Sequence, residues 1–597
     1  MGLAGDRARR LAPLLVLLAA AAALLFTDLG GPWLWEDEAD TALFARAIVR
    51  DGLPTAWDGR SFVDSDDGMR VAPHALGHDF VLVGTPWLPY YVAAASFALF
   101  GESEWAARLP FALVALATVA ALYGLVLRTT GSARAAFAAG LLLLASAQFL
   151  LFGREARSYA PNMLLTVVLL AGFLRLGERR RDPWLAVAAV LLFYVQVLPV
   201  AVALAACAGL ALLHPAFRPR LPALLARAPF VAALTLAWLL LAWSGTRVNW
   251  EPLGSAAEWP RRIGQLAAEA SVAVPALGWA IGLPLVRRRL GPGDRTLLAL
   301  CAAWLVACAA LAPLALSASL LEVVGLRYVC GMLPVAAAVS GVLVARASGR
   351  SAAAYAAVLA LFAATQLAGS ALPWLALGHS RRLAGVAVSV PRDLGAKLFN
   401  VPWWAFVRGL GAPDAGTLHP LVGLLRERAA RDDVVLTNFG WDGLYYYSDL
   451  GLGMRIDPSA PVYAHARRRE LPRYVFDVDD ADWIVWRGGN EAFLGYPFLL
   501  LGQPLEALRA RLAARGARLE LVAELPETLW ENRPELFWHR FPGLGHPFAP
   551  PRLGARGPRY RDARVFRVSW PAEAARTAAP TALPGAPPAT TDAAPPG

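Results

Sequence analysis

Charged residues are scarce in this chain of 597 amino acids: 17% are Asp, Glu, Lys or Arg, whereas 57% are hydrophobic. Soluble domains carry about 25% charged residues, so the composition argues against a purely cytosolic globular protein. Disorder of the whole chain is excluded, because it requires low hydrophobicity and high net charge. With only four cysteines, a small disulfide-stapled secreted scaffold is excluded as well.

Lysine is almost absent: Lys397 is the only one, so 55 of the 56 basic residues are arginine. The 45 acidic residues leave a net charge of +11, which makes the position of the arginines important. They cluster in short turns between long apolar runs, where positive charge orients a membrane protein. We therefore expect no nucleic-acid partner.

Apolar runs of roughly 17 to 25 residues, the length that crosses about 30 Å of hydrocarbon, recur between residue 11 and residue 372. They predict a mainly α, polytopic membrane helix bundle over residues 1–378, with an uncleaved first helix. Arginine-rich turns stay cytoplasmic, and this rule gives about eleven crossings. The crossings are predicted at residues 11–26, 111–127, 134–151, 159–176, 183–195, 197–213, 228–243, 266–286, 296–314, 328–346 and 352–372.

The same rule places residues 29–108 in one long loop outside the cytoplasm. Within this first external loop, the apolar residues 85–100 are predicted to form a juxtamembrane or re-entrant helix. Prolines at their start and aromatic residues suited to the interface favour that interpretation over a crossing.

The last crossing places the rest of the chain outside. Residues 379–412 are predicted to be an interfacial segment, residues 413–570 an extracytoplasmic α/β domain, and residues 571–597 a disordered Ala/Pro/Thr-rich tail. In the α/β domain, short apolar runs alternate with helical patterns. Strands are predicted at residues 434–437, 483–486 and 519–522, and helices at residues 443–447 and 505–514.

The external loop contains an acidic triplet, Glu36, Asp37 and Glu38, directly after the first predicted helix. A solvated acidic turn at a helix N-terminus, favoured by the helix dipole, is one interpretation. The other is chemical: a carboxylate at the membrane face is a general base for an acceptor, or a ligand of a divalent cation. Residues 41–49 are amphipathic, and we expect them to rest on the membrane.

Basic and aromatic residues stand on the same external face, at the starts of two helices. Arginine at a membrane surface either snorkels to lipid phosphates or clamps the phosphate of a lipid-linked substrate. The acids at residues 64–67 and the pair His74 and His78 lack a full metal-binding pattern, and we expect them to lie on the surface. The candidate substrate-binding residues are Arg154, Arg157, Tyr159, Arg327 and Tyr328.

The order of these motifs resembles that of the GT-C membrane glycosyltransferases. The resemblance is to the protein mannosyltransferase-like branch, glycosyltransferase family 39, which includes the aminoarabinose transferase of lipid A and the lipopolysaccharide galacturonosyltransferases. It covers about residues 11–350. The segments that carry it are residues 35–48, 85–110, 154–165 and 325–334.

The resemblance implies a glycosyltransferase that moves a sugar from a polyprenyl-phosphate donor to a lipid, glycan or protein acceptor outside the cytoplasm, generally with inversion. Asp37 is the implied catalytic carboxylate, with Glu38 assisting, and the arginines and tyrosines contact the donor phosphate or sugar. A divalent cation held by Glu36, Asp37 or Glu38 is left open, as is the identity of the sugar. The implied location is the bacterial inner membrane.

A polytopic transporter or lipid flippase is the alternative from another functional class. Transporters place ionisable groups near the middle of their spans. Here the spans are almost free of charge and the acids stand at the outer boundary, which favours chemistry at the membrane surface.

Overall fold

Helices dominate the computed structural model of the protein. The residues it describes are 2–63, 80–82, 85–179, 182–242, 258–316, 325–367, 382–383, 386–387, 403, 406–407, 410–411, 418–437, 441–453, 461–476, 480–487, 505–525 and 563–571. The helices before residue 370 are α1 Gly2–Phe26, α2 Glu36–Asp51, α3 Leu88–Phe100, α4 Glu104–Thr130, α5 Ala133–Leu144, α6 Ala147–Arg154, α7 Tyr159–Arg175, α8 Trp184–Val195, α9 Val197–Leu213, α10 Leu221–Leu225, α11 Ala228–Ala242, α12 Glu258–Ala273, α13 Ala276–Val286, α14 Pro292–Ala315, α15 Gly325–Tyr328, α16 Met332–Ala347 and α17 Ala352–Leu367.

Each predicted crossing coincides with one of these helices or with a consecutive pair. Within the described part of the chain, α4 and α14 are long and apolar enough to cross a membrane by themselves. Two bent pairs meet the same criterion when each is taken as one span, and the other apolar helices have 10–17 residues. The number of eleven crossings therefore stays a prediction, whereas the helical positions agree with the sequence.

Two predicted crossings are not continuous helices. Residues 134–151 divide into α5 and α6, whose axes differ by 70°. The break falls at Ser146, whose hydroxyl accepts a hydrogen bond from the N–H of Phe149 and so caps α6. Residues 266–286 divide at Pro275, which stands between α12 and α13. A serine cap marks the first break and a proline the second. In each case one helix ends and another begins inside an unbroken apolar run.

Helices of the bundle pack closely against each other where small residues face a neighbouring helix. A Cβ atom on Gly341 of α16 would lie 2.4 Å from the carbonyl oxygen of Ala135 in α5, so the two helices touch at their backbones. At the arginine-rich end of the bundle, the guanidinium of Arg346 binds both carboxylate oxygens of the buried Asp294, at 2.7 and 2.9 Å. All four cysteines are buried free thiols, in agreement with the exclusion of a disulfide scaffold.

The segment predicted to be the first external loop, residues 29–108, contains α2 and α3. Every residue of α2 from Glu38 to Ala45 is buried, and eight consecutive residues cover more than two turns of a helix. Protein therefore covers residues 41–45 on all sides, so this part of the segment does not rest on the membrane; Val49, near its end, is 53% exposed, and for that end the expectation stays a prediction. Helix α3 packs against α2 and α4, and its Ser96 hydroxyl donates to the carbonyl of Ala106 at 2.6 Å.

The C-terminal part is a small α/β domain, as predicted. Within the described residues, its sheet has five strands: β3 Val434–Thr437, β4 Gly451–Leu452, β5 Trp483–Arg487, β6 Arg518–Leu525 and β7 Ala563–Ser569. Their order is β4-β3-β5-β7-β6, in which β3 runs parallel to β4 and β5 while β7 is antiparallel to β5 and β6. The predicted strand at residues 434–437 and helix at residues 505–514 have the predicted bounds. The elements after residue 370 are β1 Arg382–Leu383, β2 Val386–Ala387, α18 Leu418–Arg428, β3 Val434–Thr437, α19 Trp441–Ser448, β4 Gly451–Leu452, α20 Pro461–Arg468, β5 Trp483–Arg487, α21 Leu505–Ala514, β6 Arg518–Leu525 and β7 Ala563–Ser569.

Several predicted features fall on residues that the structure does not describe. They are the acids at residues 64–67, the pair His74 and His78, most of the interfacial segment at residues 379–412, and the tail beyond residue 571.

Candidate active site

The N-terminus of α2 forms the centre of the site. The acidic triplet occupies the first helical turn, and Trp35 is the N-cap residue. The carboxylate of Glu38 reaches back to the N–H of Trp35 at 3.5 Å, as in a capping box. Negative charge is favoured at this end of a helix by the exposed N–H groups and the dipole, which explains how three acids are accommodated here.

Asp37 lies between two arginines that come from distant parts of the chain. Its Oδ2 atom accepts a hydrogen bond from the guanidinium of Arg327 at 2.8 Å, and lies 3.8 Å from that of Arg157. The side chains of Asp37 and Arg157 are each 22% exposed, and that of Arg327 is 18% exposed. The cluster is therefore largely enclosed by protein but still reached by solvent.

Arg157 holds a second carboxylate of the same helix. Its guanidinium lies 2.5 Å from Oδ2 of Asp40, and also donates to the carbonyl of Asp37 at 2.9 Å. The hydroxyl of Tyr90 in α3 donates to the same Asp40 oxygen at 3.4 Å. Burial lowers the pKa of Arg157, but the carboxylates of Asp37 and Asp40 outweigh it and raise that pKa. Arg157 is thus a fixed positive charge.

Glu38 forms a buried ion pair with a different arginine, Arg108. Its oxygens accept hydrogen bonds from Arg108 at 2.8 and 2.6 Å, and its side chain is only 1% exposed. One of them also accepts from the N–H of Ala156 at 2.9 Å. Arg108 in turn donates to the carbonyls of Pro32 and Trp33. Glu38 therefore joins the start of α2 to α4 and to the turn that carries Arg157.

The hydrogen bonds of Arg154 go to the backbone at the end of α1. Its guanidinium donates to four carbonyls at the end of α1 and just after it, those of Leu24, Leu25, Thr27 and Asp28, at 2.7–3.3 Å. A helix leaves its last carbonyls without intrahelical partners, and Arg154 satisfies them.

The two tyrosines differ in their surroundings. Tyr328 lies beside Arg327, whose guanidinium stands 5.2 Å from the Tyr328 ring centre and donates to its hydroxyl at 3.3 Å. Tyr159 is buried, and its ring centre lies 4.9 Å from that of Phe152. Its hydroxyl is close enough to Arg327, Asp37 and Arg157 to interact electrostatically with these three charged side chains.

The structure thus brings together Asp37, Arg157, Arg327, Tyr159 and Tyr328 from the sequence-based set. Sequence reasoning did not anticipate Asp40, Tyr90 or Arg108. The signal for Asp40 was present, because residues three apart share a face of a helix. Among the described residues, no group of three or more His, Cys, Asp or Glu side chains is arranged to hold a metal ion.

The architecture is the GT-C fold of membrane glycosyltransferases, and the predicted class, a mainly α polytopic bundle with a small α/β domain, is confirmed. Residues 84–245 match the family described as dolichyl-phosphate-mannose-protein mannosyltransferase. The resemblance recognised in the sequence is therefore supported by an independent match within its range.

Among solved structures, the fold is similar to that of ArnT from Cupriavidus metallidurans bound to undecaprenyl phosphate. The TM-score is 0.53 at 16% sequence identity, over 86% of this chain and 97% of that chain. The same ArnT in the apo state gives a TM-score of 0.53 at 16% identity, over 79% of this chain and 92% of that chain. No curated protein matches the chain significantly.

Proposed function

We propose that the protein is an inverting glycosyltransferase that takes a sugar from a polyprenyl-phosphate donor. The observation that carries this proposal is the carboxylate of Asp37 held between Arg157 and Arg327 at a helix N-terminus. In this arrangement the carboxylate can serve as a general base, and the two guanidinium groups can bind the phosphate of the donor. The GT-C fold and a fold neighbour solved with undecaprenyl phosphate support it. We place the site and the C-terminal domain on the outer face of the bacterial inner membrane.

In the proposed reaction, an acceptor hydroxyl or amine attacks the anomeric carbon of the donor sugar. Asp37 takes the proton from the acceptor as the new bond forms. The bond between the anomeric carbon and the phosphate oxygen breaks, and the polyprenyl phosphate leaves with the electron pair. Arg157 and Arg327 stabilise the charge on the departing phosphate. A single displacement inverts the anomeric centre.

The contacts refine the roles expected from the sequence. We propose that Glu38 is a positioning residue, because its oxygens are bound to Arg108 and to the N–H of Ala156 inside the protein. This also bears on a cation site, since the triplet then cannot present three carboxylates to one ion. We propose that Arg154 has a structural role at the end of α1.

The proposal is tested by supplying membranes that contain the protein with labelled sugars linked to undecaprenyl phosphate. Transfer of label to a lipid, glycan or protein acceptor is expected from at least one such donor. The same sugars linked to a nucleotide, supplied in parallel, should give no transfer. An absence of transfer from every lipid-linked donor would overturn the proposal and favour the transporter or flippase.

Replacement of Arg327 by lysine (Arg327→Lys) is expected to raise the KM for the lipid-linked donor by about tenfold or more. Lysine keeps the charge but loses the planar fork that binds phosphate at two points, and a hydrogen bond to a charged group contributes about 1.5–3 kcal/mol. Arg60→Lys is the matched control, because Arg60 contacts Asp449 of the C-terminal domain. An unchanged KM in Arg327→Lys would exclude the phosphate contact.

Replacement of Arg154 by alanine is expected to lower stability in detergent by about 1–3 kcal/mol, because two partly buried carbonyls at the end of α1 lose their hydrogen-bond donor. The KM for the lipid-linked sugar donor should stay unchanged. The exposed pair of Arg128 with Glu178 provides the control, and Arg128→Ala should cost less than about 1 kcal/mol. A raised donor KM with unchanged stability would instead support the substrate-binding role expected from the sequence.

A further inference from the structure

The C-terminal domain contacts the first external loop through three consecutive buried tyrosines of α19. The hydroxyl of Tyr445 donates to the carboxylate of Asp58, beyond the end of α2. The ring of Tyr446 lies 4.9 Å from the guanidinium of Arg46, in the second half of α2. Tyr447 reaches the segment just before α2. The three side chains thus hold three separate places on the loop.

Tyr447 makes three contacts at the entrance to α2. Its ring stacks on that of Trp33, with 3.9 Å between ring centres and 18° between ring planes. Its hydroxyl accepts from the buried N–H of Leu34 at 2.7 Å and donates to Glu104 at 3.1 Å. Burial, together with the carboxylate of Glu104, raises the pKa of Tyr447, so the hydroxyl keeps the proton that it donates.

The segment held by Tyr447 is connected to both halves of the candidate active site. Leu34 stands two positions before the first residue of α2, and Asp37 is the second residue of that helix. The carbonyl of Trp33 accepts from Arg108 at 3.0 Å, and Arg108 binds Glu38. A shift of residues 33–34 therefore displaces the base and, through Glu38, the turn with Arg157.

We propose that Tyr447 is a positioning residue, through which the C-terminal domain fixes the approach of Asp37 to the acceptor. The inference rests on the proposed function and gives the C-terminal domain a part in the reaction. Tyr447 does not touch the reacting atoms. It acts through a hydrogen bond to the backbone three residues before the base.

Tyr447→Phe retains the ring on Trp33 and removes the two hydrogen bonds of the hydroxyl. We expect it to lower kcat by about tenfold or more, because a displacement of about 1 Å costs up to about a hundredfold. The donor KM should stay unchanged, since Arg157 and Arg327 remain. Tyr445→Phe is the matched control: it removes one hydroxyl from the same interface, whose partner Asp58 lies beyond the end of α2, and should keep the wild-type kcat.

Two further variants separate positioning from general stability. Glu104→Gln retains an acceptor for the Tyr447 hydroxyl, so it should behave as wild type. In the double variant Asp37→Asn/Tyr447→Phe, the residual rate should equal that of Asp37→Asn alone, because a residue that acts through Asp37 has nothing left to position. A purely structural tyrosine would lower that residual rate further.

The positioning role is overturned if Tyr447→Phe keeps the wild-type kcat, if Tyr445→Phe loses as much, or if the effects in the double variant multiply. Each of these results leaves the proposed function intact as long as the wild-type protein transfers sugar. A wild-type protein that transfers no sugar from any lipid-linked donor overturns both.

Discussion

Asp37→Asn is expected to lower the kcat of sugar transfer by about 10²–10⁴-fold, the range by which a general base contributes to catalysis. Asparagine has nearly the same shape, and its amide oxygen can still accept the hydrogen bond from Arg327, which lies 2.8 Å from Oδ2 in the native protein. The substitution removes the basicity and one negative charge. Donor binding should survive, because neither arginine is changed.

The measurement is transfer of labelled sugar by purified protein in lipid, with the amount of folded enzyme matched. Asp51→Asn is the control on the same helix: its carboxylate is partly exposed and pairs with the neighbouring Arg50, and an exposed pair contributes less than about 1 kcal/mol. Its rate should equal that of the wild type. Unchanged transfer by Asp37→Asn would remove Asp37 from the mechanism.

Glu38→Gln is expected to destabilise the protein by about 3–5 kcal/mol, because it leaves the guanidinium of Arg108 buried without its counter-charge. The side chains of Glu38 and Arg108 are 1% and 5% exposed, so water cannot replace the lost partner. The backbone on either side is affected too, since Glu38 bonds to Ala156 and Arg108 to the loop before α2.

Stability is measured as the midpoint of thermal or denaturant unfolding in one detergent. Glu102→Gln is the matched control, because Glu102 pairs with Arg46 in the same loop. These two side chains are 36% and 31% exposed, so Glu102→Gln should lower the free energy of unfolding by less than about 1 kcal/mol. Equal midpoints for the two variants would exclude the buried pair as a support of the site.

Helix positions could be predicted well from this sequence, because long apolar runs and arginine-rich turns are local signals. The breaks at Ser146 and Pro275 could not be placed by hydropathy, since the runs continue through them. Strand β7, Ala563–Ser569, was not anticipated. It inserts between β5 and β6, and its pairing with residues some 80 positions earlier leaves no pattern in a short window.

For the candidate site too, local motifs could be recognised in the sequence whereas contacts between distant residues could not. The acidic triplet and the arginine motifs identified Asp37, Arg157 and Arg327 as candidates, and their order along the chain resembled a known family. The sequence did not show which acid meets which arginine. Glu38 meets Arg108 across 70 positions, and Asp37 meets Arg327 across 290. Such pairings follow from helix packing, so adjacent carboxylates that look alike in the sequence pair with different arginines.

The spacing of these partners has a consequence for biosynthesis. Chains emerge from the ribosome N-terminus first, so Glu38 has its partner as soon as α4 has formed, whereas Asp37 waits for Arg157 and then for Arg327. Tyr447 follows another 120 positions after Arg327. A chain synthesised only as far as α4 therefore has the pair of Glu38 with Arg108, but not the pairs of Asp37 with Arg157 and Arg327. The ion pairs around Asp37 are therefore complete only after the residues of α15 have been synthesised.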